Sequence, residues 1–390
     1  PRGNLAVSPD HLEEIQRAGL KIRRVSRFLN AVSLEVNNDT DLERIREFSF
    51  VRSIRPVAQK VTTTPDQSYT THHLSRDSDL PYGLSLAQNE LLHIPYIHGL
   101  GYDGSGVLIG IFDTGFNTEH PAFNILDIQA QYDFVDHEEN PGSTNSEHGI
   151  NTLSIAGGYY PDKIIGPAFG ATYLLARTEN TSSETRIEED NWVAAMEWAD
   201  SIGVDIISSS LNYRDFDGTA DDYPDSAIDG ETTIISQAAN IAAERGILVV
   251  NSASNDGPFP SSIWPPADSR HVLAVGAVND LGEIAAFSSR GPTYDGRIKP
   301  DVVAMGVGVY MASGTSSFRY GNGTSFSTPL TAGLAALRLQ AHPDLAPDSV
   351  ISLFQQNSDQ VGSPGNTYGW GIPDLSNFFE DSPVMESTDL

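Results

Sequence analysis

Residues 107–115 read VLIGIFDTG, an apolar run that stops at an aspartate and a Thr-Gly turn. An unbroken apolar run of this length suits a strand buried on both faces, as in parallel sheets covered by helices on each side. Runs of the same kind return at 172–176 (TYLLA), 204–207 (VDII), 247–250 (ILVV) and 272–278 (VLAVGAV). Between them, stretches at about 185–201, 231–245 and 326–340 carry helical apolar spacing. The alternation predicts an α/β fold of three layers, a mostly parallel sheet flanked by helices. Functional groups of such sheets gather at the carboxyl ends of the strands, where Asp113 falls.

Outward from this region the chain changes character. Residues 1–76 carry 12 basic and 9 acidic residues, a balance of +3, whereas 77–390 carry 11 and 43, a balance of −32. That contrast marks two physical units. Residues 1–57 predict a small α+β domain: a helix over 8–18, strands at 21–26 and 30–36, a helix to about Phe48 and a strand at 50–57. Residues 58–80 are polar and Thr/Ser-rich, a linker open to proteolysis. The second domain then occupies 81–378, and 379–390 form an acidic tail. The chain begins at Pro1 without Met, and the expectation is that a signal peptide preceded it.

Composition excludes several classes of function. The 390 residues carry a formal charge of −29, which repels phosphate backbones and argues against nucleic acid as a partner. No run reaches the roughly 18 apolar residues that a membrane span needs. Cysteine is absent, which removes disulfides, thiolate zinc sites and a cysteine nucleophile. Lysine is scarce too, confined to positions 21, 60, 163 and 299.

Three local stretches can carry chemistry. Asp113 ends a buried strand; alone it would read as a turn cap. His148, in SEHGINTLSIAGG, opens a helix of small residues and suits general base work near neutral pH. With ten histidines in the chain, His120 and His137 among them, an isolated one reads as a packing residue. Ser325, in GTSFSTP, follows small residues and starts an apolar helix whose free N–H groups favour a forming oxyanion. Together they stand in the order Asp, His, Ser, one of the chain orders in which a nucleophilic triad occurs. Asn255, in VVNSASNDG, follows another buried strand and can donate an amide hydrogen.

On these residues the chain resembles the subtilisin-like serine proteases over about 81–374. FDTG, HG, SASNDG and NGTSFSTP carry the likeness, with Phe287-Ser288-Ser289-Arg290-Gly291-Pro292 and Lys299-Pro300-Asp301 adding to it. The resemblance implies a serine endopeptidase that needs no cofactor for its chemistry. Ser325 would attack the peptide carbonyl, His148 would carry the proton and Asp113 would orient His148. Asn255 and the Ser325 N–H would hold the oxyanion. An extended polypeptide substrate would lie along Ser210-Leu211-Asn212. The basic N-terminal part, residues 1–76, resembles the family's propeptide, an intramolecular inhibitor and folding aid, without its first strand; its charge favours docking on the acidic domain. A secreted bacterial protein follows from the same likeness.

Departures from the family pattern concern specificity and metal. Ile150-Asn151 follow His148-Gly149 where relatives carry Thr and then a His or small polar residue. Ser254 stands for the Gly before the oxyanion Asn, and Asn212 for a Gly on the substrate edge. Trp264 falls near the base of the expected first pocket and would narrow it. No metal ligands are assigned: Ala122 replaces a calcium-binding Asp, and the 158–166 loop is short. Asp215, Asp217, Asp221 and Asp222 could hold calcium but read first as a solvated loop. Two other readings remain open. Serine-carboxyl peptidases share the Ser motif but replace the His and Asn, so His148 and Asn255 argue against them. A catalytically silent subtilase-fold binding protein would show a broken triad.

Overall fold

The computed structural model describes residues 7–26, 30–36, 39–54, 78, 80–142, 146–218 and 221–379. Nearly all of the expected linker, and the acidic tail from 380, lie outside the described residues.

In the N-terminal unit, helix α1 (Pro9–Arg17) is followed by strands β1 (Lys21–Ser26) and β2 (Ala31–Glu35), then helix α2 (Asp39–Glu47). The strands pair antiparallel, placing Ile22 opposite Leu34 and Val25 opposite Val32. A small core forms from Ile15, Leu20 and Ile45. The strand expected at 50–57 is not formed over 51–54, and 55–57 are not described. Its apolar residues have another use: Phe50 stacks on His11 at 4.0 Å, and Val51 turns back to the Phe48 carbonyl to pack on the same core.

The second unit begins with helices α3 (Leu86–Glu90) and α4 (Ile94–Gly99). Strands β3 (Leu108–Asp113) and β4 (Asp127–Asp133), helix α5 (His148–Gly157) and strands β5 (Tyr159–Tyr160) and β6 (Ile164–Ile165) follow. Next come β7 (Thr172–Arg177), α6 (Arg186–Ile202), β8 (Ile206–Ser209), α7 (Ile234–Glu244), β9 (Leu248–Ser252), β10 (Val272–Val278) and β11 (Val302–Met305). The last elements are β12 (Val309–Ser313), β13 (Ser317–Gly321), α8 (Thr324–Ala341) and α9 (Pro347–Gln356).

Seven strands form one parallel sheet in the order β11-β10-β9-β8-β3-β7-β4. Alternation of side chains across the pleat explains the apolar runs. Ile109, Ile111, Leu175, Ile206 and Val250 enter the core shared with α5 and α8. Phe112, Leu174, Ile207 and Val249 enter the core on the other face with Trp192, Met196 and Ala239 of α6 and α7. Chain order reverses around β3, since β7 joins one side of it and β8 the other. A crevice at the carboxyl ends of the strands follows from that reversal.

The Lys299-Pro300-Asp301 stretch has a structural use. Lys299 Nζ is buried and donates to Asp301 Oδ2 at 2.7 Å and to the Val272 carbonyl at 2.8 Å. Burial pulls the Lys299 pKa down, and Asp301 opposes that. Asp301 also accepts from Ala274 N and Gln355 Nε2, so the pair ties β10, β11 and α9 together. Asp301→Ala, which strands the ammonium, is expected to cost about 3–5 kcal/mol. Urea unfolding measures it; a loss under 1 kcal/mol would contradict the role.

Candidate active site

Asp113 ends the central strand β3 and is fully buried. Its carboxylate accepts from His148 Nδ1 at 2.7 Å and from its neighbour Thr114 N at 2.7 Å through Oδ1, and from Thr152 Oγ1 at 2.8 Å through Oδ2. His148 and Thr152 lie one turn apart on α5 and so share a face. The helix start sits directly on the turn after Asp113: a Cβ on Gly149 would come within 2.2 Å of the Gly115 carbonyl. Only glycine permits that approach.

The Nδ1 bond to a carboxylate makes Nδ1 the protonated nitrogen of a neutral His148 ring and leaves Nε2 to accept. The ring keeps 28% of its surface exposed. Burial pulls its pKa down most strongly, yet Asp113 outweighs that and the net direction is upward. Arg319, on the β12–β13 hairpin, opposes the rise with its own charge. Its guanidinium is pinned by Asn151 Oδ1 at 2.6 Å. His120 and His137 stay apart from this arrangement. His120 bonds the Ser317 carbonyl and the Ala122 N–H, and His137 occupies a turn at positive φ.

Ser325 is the second residue of α8, and the Phe326 ring lies 5.9 Å from that of His148. The first helical turn leaves N–H groups without intrahelical partners, Ser325 N–H among them. Pro329 adds a second irregularity. It has no N–H to give to the carbonyl four residues earlier, which is that of Ser325. Ser210 Oγ, just past β8, supplies the missing donor at 2.9 Å. Asn255 follows β9, and its Oδ1 accepts from Thr324 N at 2.9 Å and from Thr324 Oγ1 at 3.1 Å. Its Nδ2 is therefore the remaining donor.

The residues expected at the substrate edge fall together at the ends of β8 and β9. Leu211 is buried, and its carbonyl accepts from Asn251 Nδ2 at 2.9 Å. Asn212 reaches across to β9: Nδ2 donates to the Ser252 carbonyl at 2.8 Å, and Oδ1 accepts from Ser252 Oγ at 2.8 Å. Trp264 meets Asn212 through its backbone carbonyl, at 3.3 Å from Nδ2. Ser254 is buried at φ +84°.

A cavity of about 560 Å³ opens beside His148, lined by Thr114, Ser210, Leu211, Glu179 and Glu184 among others. Sequence reasoning missed its acidic wall, and it missed Thr152 and Thr324. The spacing of Thr152, one turn beyond His148, was the available signal. Glu179 is buried and accepts from Tyr213 OH at 2.5 Å. Glu184 is pushed up to about 7 by burial and by the nearby Glu188 and Asp217 charges.

The aspartates of the 215–222 loop do not converge. Asp217 accepts from Glu184 N at 3.1 Å, Asp222 accepts from Phe216 N at 2.8 Å, and Asp215 lies beside Arg214. Among the described residues no three His, Asp or Glu side chains are grouped to hold a metal. The short 158–166 segment folds as the β5–β6 hairpin.

The Subtilase family matches residues 104–371, and the Peptidase S8 propeptide domain of Bacteroidota matches residues 3–72. Subtilisin of Bacillus pumilus is 30% identical over 300 residues, covering 75% of this chain and 96% of its own. Subtilisin E of Bacillus subtilis is 27% identical over 365 residues, 92% of this chain and 83% of its own. Among solved structures, a protease of Pseudoalteromonas arctica superposes with a TM-score of 0.62 at 22% identity, over 77% of this chain and 98% of its own. Sphericase gives 0.59 at 24% identity, over 70% and 92%. The chain belongs to the subtilase family and is a subtilisin-like serine endopeptidase with a propeptide domain.

Proposed function

We propose that Ser325 is the nucleophile of this endopeptidase, with His148 as its general base and then acid, and Asp113 as the group that orients His148. The 2.7 Å bond between His148 and a fully buried Asp113 carries the reading. In the first step Ser325 Oγ bonds to the peptide carbonyl carbon, and its proton passes to His148 Nε2. That proton then goes to the departing amine, leaving an acyl-enzyme that water hydrolyses. Asn255 Nδ2 and the Ser325 N–H hold the oxyanion. The substrate lies extended along Ser210-Leu211-Asn212. The placement of Asn212 supports a short first pocket: its amide bridges the ends of β8 and β9 and meets the Trp264 carbonyl. No cofactor enters the chemistry, and a structural calcium site finds no support in the dispersed Asp215, Asp217 and Asp222.

The same reading extends to maturation. Residues 1–57 act as an inhibitory propeptide, cleavage falls within 58–80, and 81–378 form the catalytic domain of a secreted protein. The balance of +3 against −32 supports electrostatic docking of the two parts. A silent binding protein is not favoured, since Asp113, His148, Asn255 and Ser325 are all present.

A fluorophosphonate probe should label the processed protein and fail to label Ser325→Ala; absence of label on processed protein would overturn the reading. Asn255→Ala should lower kcat about 10²–10³-fold, the loss seen when a subtilisin is deprived of such a donor. His148 must be neutral to act as base, and its pKa is raised above 6.5. Activity should therefore fall as pH drops through a value above 6.5. Arg319→Gln, by removing an opposing charge, should move that limb to higher pH in a kcat/KM profile. For the pocket, Asn212→Gly should raise the ratio of cleavage after Phe to cleavage after Ala about tenfold, within the range expected when packing in a pocket changes. Efficient cleavage after Phe or Tyr by the unaltered protein would contradict a short pocket.

A further inference from the structure

Ser254 precedes Asn255 in a backbone conformation, φ +84°, that side chains other than glycine rarely adopt. Such strain persists only where the surroundings over-determine it. Here three hydrogen bonds form a closed ring. Ser254 Oγ donates to Asp256 Oδ2 at 2.6 Å, Asp256 N donates to Ser289 Oγ at 3.0 Å, and Ser289 N donates to the Ser254 carbonyl at 3.1 Å. Ser254 and Asp256 flank Asn255 on either side, so the ring encloses its backbone. The same loop is pressed onto the 287–289 segment one residue later. Gly257 N donates to the Phe287 carbonyl at 2.9 Å, and a Cβ on Gly257 would lie 2.2 Å from the Ser288 carbonyl.

Asn255 is thus held from two directions by unconnected elements. Thr324, at the start of α8, fixes its side-chain oxygen, and the 287–289 segment fixes its backbone. We propose that Ser254, Asp256 and Ser289 are positioning residues that aim Asn255 Nδ2 at the oxyanion. The proposal rests on reading Asn255 as the oxyanion donor. It assigns a use to the Phe287-Ser288-Ser289-Arg290-Gly291-Pro292 stretch, which contributes no reacting atom. It also gives a reason for serine where the backbone alone would favour glycine: Oγ adds the bond to Asp256 that glycine could not make. A donor whose acceptor appears only in the transition state gains from being fixed beforehand, and small misplacement is costly.

The test is steady-state kinetics on the processed full chain, with kcat expressed per fluorophosphonate-labelled serine. Asp256→Ala and Ser289→Ala should each lower kcat about tenfold with KM nearly unchanged, because the oxyanion exists only after binding. Asp256→Asn keeps an acceptor oxygen for Ser254 and should recover most of the loss. In an Asn255→Ala background, adding Asp256→Ala or Ser289→Ala should cost almost nothing further. If either substitution slows the enzyme equally with and without Asn255, the ring is merely structural and the proposal fails. Unchanged kcat in both variants would overturn it as well. Should Asp256→Ala not fold, Ser289→Ala removes a different bond of the same ring and decides alone. If Asn255→Ala itself leaves kcat intact, Asn255 is not the oxyanion donor, and that broader reading falls instead.

Discussion

A carboxylate buried at the end of a parallel strand has to find its hydrogen bonds inside the protein, and the site is built around meeting that demand for Asp113. An uncompensated buried charge costs several kcal/mol, so the groups around it are not free to drift. The imidazole of His148, the hydroxyl of Thr152 and the Thr114 amide answer it together. Two of these come from α5, which fixes that helix in rotation as well as position. Gly149 then lets the helix close on the Gly115 turn. The basicity of the imidazole is a consequence of the same packing, since the carboxylate that anchors the ring also favours its charged form.

The sheet supplies the remaining geometry. Because β8 lies beside β3 and β9 beside β8, the segments leaving their ends emerge next to Asp113. Ser210 and Asn255 each reach the first turn of α8, one to the Ser325 carbonyl and one to Thr324. Pro329 makes the first of these contacts necessary, because it removes the helical donor that the Ser325 carbonyl would otherwise use. The turn that carries Ser325 is therefore secured by two strands of the sheet as well as by its own helix.

What the sequence disclosed followed from whether the controlling physics was local. Strands buried on both faces announce themselves as VLIGIF or VLAVGAV, and the Asp, His and Ser motifs sit at element ends that such runs locate. The edge strand Asp127–Asp133, reading DIQAQYD, has one side open and carries no such run. Phe50 and Val51 resemble a strand locally but are drawn into a core set by Ile15 and Ile45. Around the site, Thr152 was within reach of helical spacing. The partners of Asn212 and Asp256 were not, since Ser252 and Ser289 lie 40 and 33 residues away. The acidic cavity wall likewise depends on where the 179–184 segment comes to lie.

The buried Lys299 has a practical side. Of the four lysines, positions 21 and 60 lie ahead of the catalytic domain, and Lys299 is sealed in its ion pair. That leaves Lys163, exposed at the tip of the β5–β6 hairpin, as the one side-chain amine the domain offers to solvent. Amine-reactive dyes, crosslinkers or resins that couple to lysine would meet this domain at that hairpin. Coupling chemistry that attaches most proteins in random orientations would attach this one by a defined handle.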